Sequence, residues 1–187
     1  MPNPAAKRPA LLIVDMQVGL FHGPERPYQG QRVLANINRL IGKARSADAP
    51  IFAARHSGPA GSPIEPGSPL WQLLPELEVE AATDWLFDKT RPSCFFATDL
   101  AERLASAGVD RLVIAGMKTQ YCIDSTCRMA AELGLQPVLV ADAHTCMDTP
   151  VASAQTIIEH HNLTLGGPFV QLLSTDELQF GSPARMP

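Results

Sequence analysis

The chain has 187 residues, 45% of them hydrophobic and 18% charged, with 15 Lys and Arg against 19 Asp and Glu for a formal charge of -4. That is the size of one domain, too apolar to be disordered, and long enough to bury about 70% of its unfolded surface without disulfides. The acidic balance leaves no basic stripe for a phosphate backbone, and no apolar run approaches the roughly 18 residues of a membrane span, so neither nucleic acid nor membrane is expected as a partner.

A single domain over 1–187 is expected. The stretches MPNPAAKRP and GSPARMP read as loose ends. Ala10 to Val14 is a short continuous apolar run, the mark of a strand buried on both faces. Asp15 interrupts it, so it is not a signal-peptide core, and a cytoplasmic location is the default. Val33 to Ala47 has helical spacing. Pro50 to Ala54 reads as a second strand. The segment from about 57 to 75 is too rich in Pro and Gly for a helix or central strand, and reads as a long loop of functional or covering kind. Asp84 to Phe87 reads as a third strand, and Thr98 to Ala107 as a helix capped by Thr98 and stopped by Gly108. Arg111 to Ala115 is a fourth strand, followed by a helix from about Tyr121 to Leu133. Pro137 to Ala141 is a fifth strand, Pro150 to about His161 a helix with Pro in its first turn, and Phe169 to Leu173 a sixth strand.

Strands alternating with helices give parallel βαβ units. The predicted architecture is α/β: a three-layer, doubly wound, six-stranded parallel sheet of Rossmann-like type, whose ligands lie outside the C-terminal ends of the strands. The informative residues are therefore Asp15, Met16 and Gln17; Arg55 and His56; Asp88 and Lys89; Gly116 to Cys122; and Asp142 to His144.

The turn after the first strand is D-M-Q-V-G-L-F, with no Gly-rich phosphate loop, and an acid there repels pyrophosphate. The four cysteines, at 94, 122, 127 and 146, show neither C-x-x-C spacing nor a disulfide pattern. Cys122 stands at the start of a helix, where the thiolate is favoured and backbone N–H groups are free for an oxyanion. Asp15 reads as a loop aspartate or a general base, and Lys89 as a surface charge or a partner of acid and thiol. Cys127 should be packing, and Cys94 and Cys146 have no evident activating partner. His56 and His144 lie at strand ends and read as polar wall residues. The pair His160-His161 points about 100° apart on a helix, and no H-x-x-x-H occurs, so no metal site is expected. Phe21, Trp71 and Tyr121 could line an apolar pocket, Trp71 serving equally well as a loop anchor.

Three segments, LLIVDMQVGLF, KTRPSCFFATDL, and VIAGMKTQYCIDSTCRMAAELG followed by VLVADA, occur in order. On these segments the chain resembles the isochorismatase-like cysteine hydrolases, a superfamily including nicotinamidases and N-carbamoylsarcosine amidohydrolases. The likeness runs from about Ala10 to Leu173. It implies a catalytic triad of Asp15, Lys89 and Cys122, and a non-proline cis peptide at Met117–Lys118. It also implies oxyanion donors at the N–H groups of Lys118 and Cys122. Gln17, Phe21, His56, Trp71 and Tyr121 become the expected substrate-binding residues. The implied activity is hydrolysis of an amide or ureido C–N bond in a small molecule through a thioester, without cofactor, in a homo-oligomer of at least two chains. For assembly, Ile64, Leu70 and Trp71 are expected as exposed apolar residues of the Pro-rich loop.

Two departures narrow the transfer. Nicotinamidases carry an Asp-x-His metal cluster after the second strand, and here the stretch is Ala54-Arg55-His56. True isochorismatases, which cleave a vinyl ether, usually lack the cysteine that is present here. The competing readings are an isochorismate-type ether hydrolase and a non-enzymatic, redox-sensing protein with a reactive thiol.

Overall fold

A computed structural model describes residues 8–181. The loose-end readings at 1–7 and 182–187 lie outside the described residues, while Arg8 and Pro9 extend the first strand. Six strands form one sheet: β1 (Arg8–Val14), β2 (Ile51–His56), β3 (Trp85–Lys89), β4 (Val109–Met117), β5 (Gln136–Thr145) and β6 (Gln171–Leu173). Their order is β3-β2-β1-β4-β5-β6, and all neighbours run parallel. The expected doubly wound sheet is therefore the observed one, with its switch point between β1 and β4, where ligands bind in open α/β sheets.

The apolar run of β1 supplies both layers. Leu11 and Ile13 face a core closed by α2 (Gly30–Ser46) through Val33, Ile37, Leu40 and Ile41. Ala10, Leu12 and Val14 face the other core, closed by α3 (Leu100–Ser106) through Leu100 and Leu104, and by α4 (Asp124–Glu132) through Cys127 and Ala130. A side-chain period of two thus places every β1 residue from Ala10 to Val14 out of water. Helix α5 (Ala154–Leu165) packs beside α4. No helix among the described residues is long and apolar enough to cross a membrane.

The structure differs from the sequence reading mainly at element ends. Strands β2 to β5 run on by two or more residues, so that His56, Lys89, Met117 and His144 belong to strands rather than to the loops after them. The helix expected from Pro150 begins at Ala154, because Ser153 caps it by accepting the Thr156 N–H, and Asp148 accepts from the Ala154 N–H. The helix expected from Tyr121 is split: Thr119–Ile123 forms a π-helical turn and α4 follows it. Asp99 and not Thr98 occupies the N-cap position of α3, but the Thr98 hydroxyl still accepts the Leu100 N–H at 3.4 Å while it donates to the Cys94 carbonyl. A one-turn helix, α1 (Val18–Phe21), and a 3-10 turn, Pro69–Trp71, were not legible from periodicity because each is too short to show any.

The Pro-rich loop is irregular but fastened. The indole Nε1 of Trp71 donates to the Ser57 hydroxyl at 3.0 Å, and the Arg55 guanidinium lies 3.7 Å over the indole ring. Trp71 is thereby buried, contrary to its expected exposure, while Leu70 beside it is exposed and Ile64 half-buried.

Candidate active site

Four strand ends converge at the switch point. β1 ends in Asp15, held in the left-handed region at φ 54, a conformation that costs about 1–3 kcal/mol outside glycine. Its N–H is tied to the Ala54 carbonyl across to β2. On the other side, Gly116 of β4 has φ 124, and a Cβ there would stand 2.1 Å from the Val14 carbonyl oxygen. Only glycine lets β4 pass this close to β1 as it delivers the turn bearing Cys122. The Met117–Lys118 peptide bond at the start of that turn is cis.

The structure brings Asp15, Lys89 and Cys122 into contact. The Lys89 ammonium donates to Asp15 Oδ2 at 2.8 Å and to Cys122 Sγ at 3.2 Å, and both partners of the ion pair are buried. The Arg91 carbonyl at 3.2 Å and His56 Nδ1 at 3.3 Å complete its surroundings. An ammonium has three N–H groups, and four acceptors surround this one. Asp15 Oδ1, also buried, has no hydrogen-bond partner.

Burial alone would push the Lys89 ammonium down, but Asp15, helped by Cys94 and Cys122, more than offsets it and the net direction is up. Burial pushes the Cys122 thiol up, the Asp15 charge adds to this, and Lys89 opposes it. The helix-start argument expected a lowered thiol; desolvation outweighs it here, so the resting sulfur carries its proton. Burial and then Lys89 push His56 down, against Asp15, so its imidazole is neutral at pH 7. Its Nδ1, 3.3 Å from the ammonium, then competes with the sulfur for the third Lys89 N–H.

The other cysteines make no hydrogen bond to the Asp15–Lys89–Cys122 cluster among the described residues. Cys94 and Cys127 are fully buried, with burial pushing the Cys94 thiol up to about 12. Cys94 holds its loop to α4 through its backbone N–H on Thr126 Oγ1.

Three residues expected to touch substrate are buried and engaged in packing or hydrogen bonds. Gln17 is wholly buried; its amide donates to the carbonyls of His56 and Trp71 and accepts the His56 N–H, which clamps the Pro-rich loop onto β2. Phe21 belongs to the α2-side core, and Trp71 is spent on Ser57 and Arg55. His56, half-buried beside Lys89, and Tyr121, 55% exposed in the Cys122 turn, keep faces open.

Sequence spacing gave no metal cluster, yet the ligand atoms of Asp15, His56 and Cys122 lie within 4.8 Å of one another. These three could hold a metal ion. The Lys89 ammonium already contacts all of them. The nicotinamidase type of cluster does not fit: Ala54, fully buried two residues before His56, offers no ligand.

Sequence reasoning gave His144 only a wall role and passed over its partners. His144 is buried, with Nδ1 2.9 Å from Thr119 Oγ1 and Nε2 2.8 Å from Asn162 Oδ1. The available signal was a polar residue at the foot of each apolar strand, Thr119 after β4 and His144 in β5, together with the H-H-N run on α5.

The isochorismatase domain family matches residues 9–176. Streptothricin hydrolase from Streptomyces noursei is 35% identical over 144 residues, covering 76% of this chain and 51% of its own length. A second streptothricin hydrolase from that organism is matched over 60% of its length, so the chain spans between half and three fifths of these relatives. Nicotinamidase 3 from Arabidopsis thaliana is 26% identical, over 95% of this chain and 90% of its own. The crystal structure of an isochorismatase family protein superposes with a TM-score of 0.85 at 33% identity, covering 91% of this chain and all of the other. The chain belongs to the isochorismatase family of hydrolases.

Proposed function

We propose that this chain is a cysteine hydrolase that cleaves an amide or ureido C–N bond of a small molecule through a thioester on Cys122. The observation that carries this reading is the buried Lys89 ammonium bridging Asp15 Oδ2 and Cys122 Sγ. Similarity to streptothricin hydrolase and to nicotinamidase 3 supports it.

The hydrogen bonds around Lys89 support the following proton steps. Lys89 spends its N–H groups on Asp15 Oδ2, the Arg91 carbonyl and either His56 or the sulfur. Asp15 Oδ1 carries no hydrogen bond, and the Asp15 carboxylate lies close enough to the thiol to bear on its titration. When a carbonyl carbon approaches, Asp15 takes the thiol proton and sulfur attacks. The carbonyl oxygen becomes an oxyanion, held by the N–H groups of Lys118 and Cys122. The tetrahedral adduct collapses, and Asp15 returns its proton to the leaving nitrogen. A water then gives a proton to Asp15 and attacks the thioester; the acid leaves, and the proton goes back to sulfur. Through both halves Lys89 offsets the negative charge that moves between Asp15 and Cys122. His56 and Tyr121 form the wall against which the substrate lies. Assembly into a homo-oligomer of at least two chains belongs to the same reading.

The test is ammonia or amine release from a panel of small amides and ureido compounds, with mass spectrometry of acid-quenched enzyme. An acyl adduct on Cys122 is expected. Cleavage of a vinyl ether without any adduct, or reversible peroxide oxidation of Cys122 with no turnover, would replace this reading.

A further inference from the structure

His144 takes no part in the steps above, yet it is one of the most completely enclosed polar side chains near the site, 1% exposed. Its two nitrogens join two elements to the nucleophile turn: Nε2 meets Asn162 Oδ1 on α5, and Nδ1 meets Thr119 Oγ1. Thr119 is fully buried and opens the π-helical turn that runs to Ile123. That turn has no side-chain cap; the Tyr121 and Ile123 N–H groups reach the Lys118 carbonyl at 3.1 and 3.3 Å, and the Asp124 N–H reaches the Thr119 and Tyr121 carbonyls. A π turn is rare and occurs mostly as a single turn, frequently at a functional site.

We propose that His144, backed by Asn162, is a positioning residue that fixes Thr119 and thereby the oxyanion-binding backbone of Lys118 to Cys122. The inference rests on reading that turn as the oxyanion site. The protons allow one arrangement. The Asn162 amide oxygen only accepts, so Nε2 carries the hydrogen and Nδ1 accepts from the Thr119 hydroxyl. Burial, more than the opposing contact with Asn162, keeps the imidazole neutral, with His161 and Asp142 as the nearby charges. Cys146 faces the same hydroxyl from β5's end. A ring locked between a strand and a helix holds its partner more tightly than a loop contact can. Displacing reacting groups by about 1 Å can cost 10²-fold in rate, so the tie matters even though it touches no substrate.

The test separates oxyanion binding from thiol reactivity. Benzaldehyde adds to a thiol: the S–C bond forms, the C=O π pair goes to oxygen, and the thiol proton follows through Asp15 to give a hemithioacetal. Iodoacetamide alkylation displaces iodide and develops no oxyanion. Thr119→Val and His144→Phe should each weaken benzaldehyde binding about tenfold or more, a fraction of what losing a whole oxyanion donor costs. Alkylation of Cys122 should stay within about twofold, since Asp15 and Lys89 are untouched. Thr119→Ser, which keeps the hydroxyl, should restore the aldehyde affinity. Wild-type affinity in Thr119→Val, or equal losses in both reactions, would overturn the proposal. An absent wild-type adduct would overturn the oxyanion turn and the proposal together. If the wild type binds the aldehyde but cleaves no amide, the hydrolase reading fails while this one stands.

Discussion

Two buried polar clusters flank the switch point, and they are built on opposite principles. Around Lys89 the bonding capacity does not match: four acceptors meet three N–H groups, and Asp15 Oδ1 is left without a donor. Around His144 it matches, each ring nitrogen having one partner of suitable kind. A mismatch in a dry site is costly and leaves protons with somewhere to go. A matched network has no such freedom and serves to hold a shape. Substitutions in the first cluster should therefore change rates, and those in the second should change geometry and stability.

The largest effect is expected at Cys122. Cys122→Ala should reduce amide hydrolysis to background while leaving the fold intact, because a small apolar group fills much of the same space. Cys94→Ala and Cys127→Ala should keep most activity, both sulfurs being fully buried. Alkylated-peptide mapping that found Cys94 as the reactive thiol would break the comparison at its root.

Asp15→Asn comes next. It keeps the shape but cannot take the thiol proton, and should lower the rate about 10²–10⁴-fold. It also leaves the Lys89 ammonium buried without its anion, so melting temperature should fall with it. Rates are to be taken on the folded fraction, verified by circular dichroism. Because Asp15 and Lys89 act on one proton, Asp15→Asn/Lys89→Met should lose far less than the product of the single losses. Full multiplicativity would mean that the two side chains work separately.

The same contrast explains what could be read from the chain. Asp15, Lys89 and Cys122 could be singled out because each stands at or after the end of a strand, and strand ends meet at the switch point whatever the loops do. The sheet itself was legible because parallel strands buried on both faces leave unbroken runs such as Ala10 to Val14. Gln17, Phe21 and Trp71 are buried in the core and the loop clamp, a placement that was not legible for one shared reason. Their residue types suit a pocket as well as a core, and only the path of the Pro-rich loop decides between them; local pattern carries no record of that path. The direction of the Cys122 shift failed similarly, since a helix start is visible in sequence and desolvation is not.

On the matched side, acid should reveal His144. Its imidazole is pushed down from 6.5 to about 4, mainly by burial. Above pH 6.5 it is neutral in both folded and unfolded chains and imposes no penalty. Between pH 6.5 and about 4 only the unfolded chain takes the proton, so stability falls as pH falls. Below about 4 both forms are charged and the loss is complete, about 3 kcal/mol. Urea unfolding across this range should show a steeper decline for the wild type than for His144→Gln, which keeps a donor and an acceptor but does not titrate. Parallel curves would mean that the imidazole is not the group taking up the proton.

The smallest expected effect tests how local the matched cluster is. Ser153 caps α5, accepting the Thr156 N–H at 3.2 Å with φ -68 and ψ 153. Ser153→Ala removes that acceptor and should cost about 1 kcal/mol. For a domain this size that is about 2–4 °C in melting temperature. Asn162 lies more than two helical turns beyond the cap, and its tie to His144 depends on the last turn of α5, not on its first. Turnover should therefore be unchanged while stability drops. A fall in the rate alongside the fall in melting temperature would show the opposite: that α5 transmits motion at its start to Thr119, and that the cluster behind the nucleophile turn is compliant and not locked.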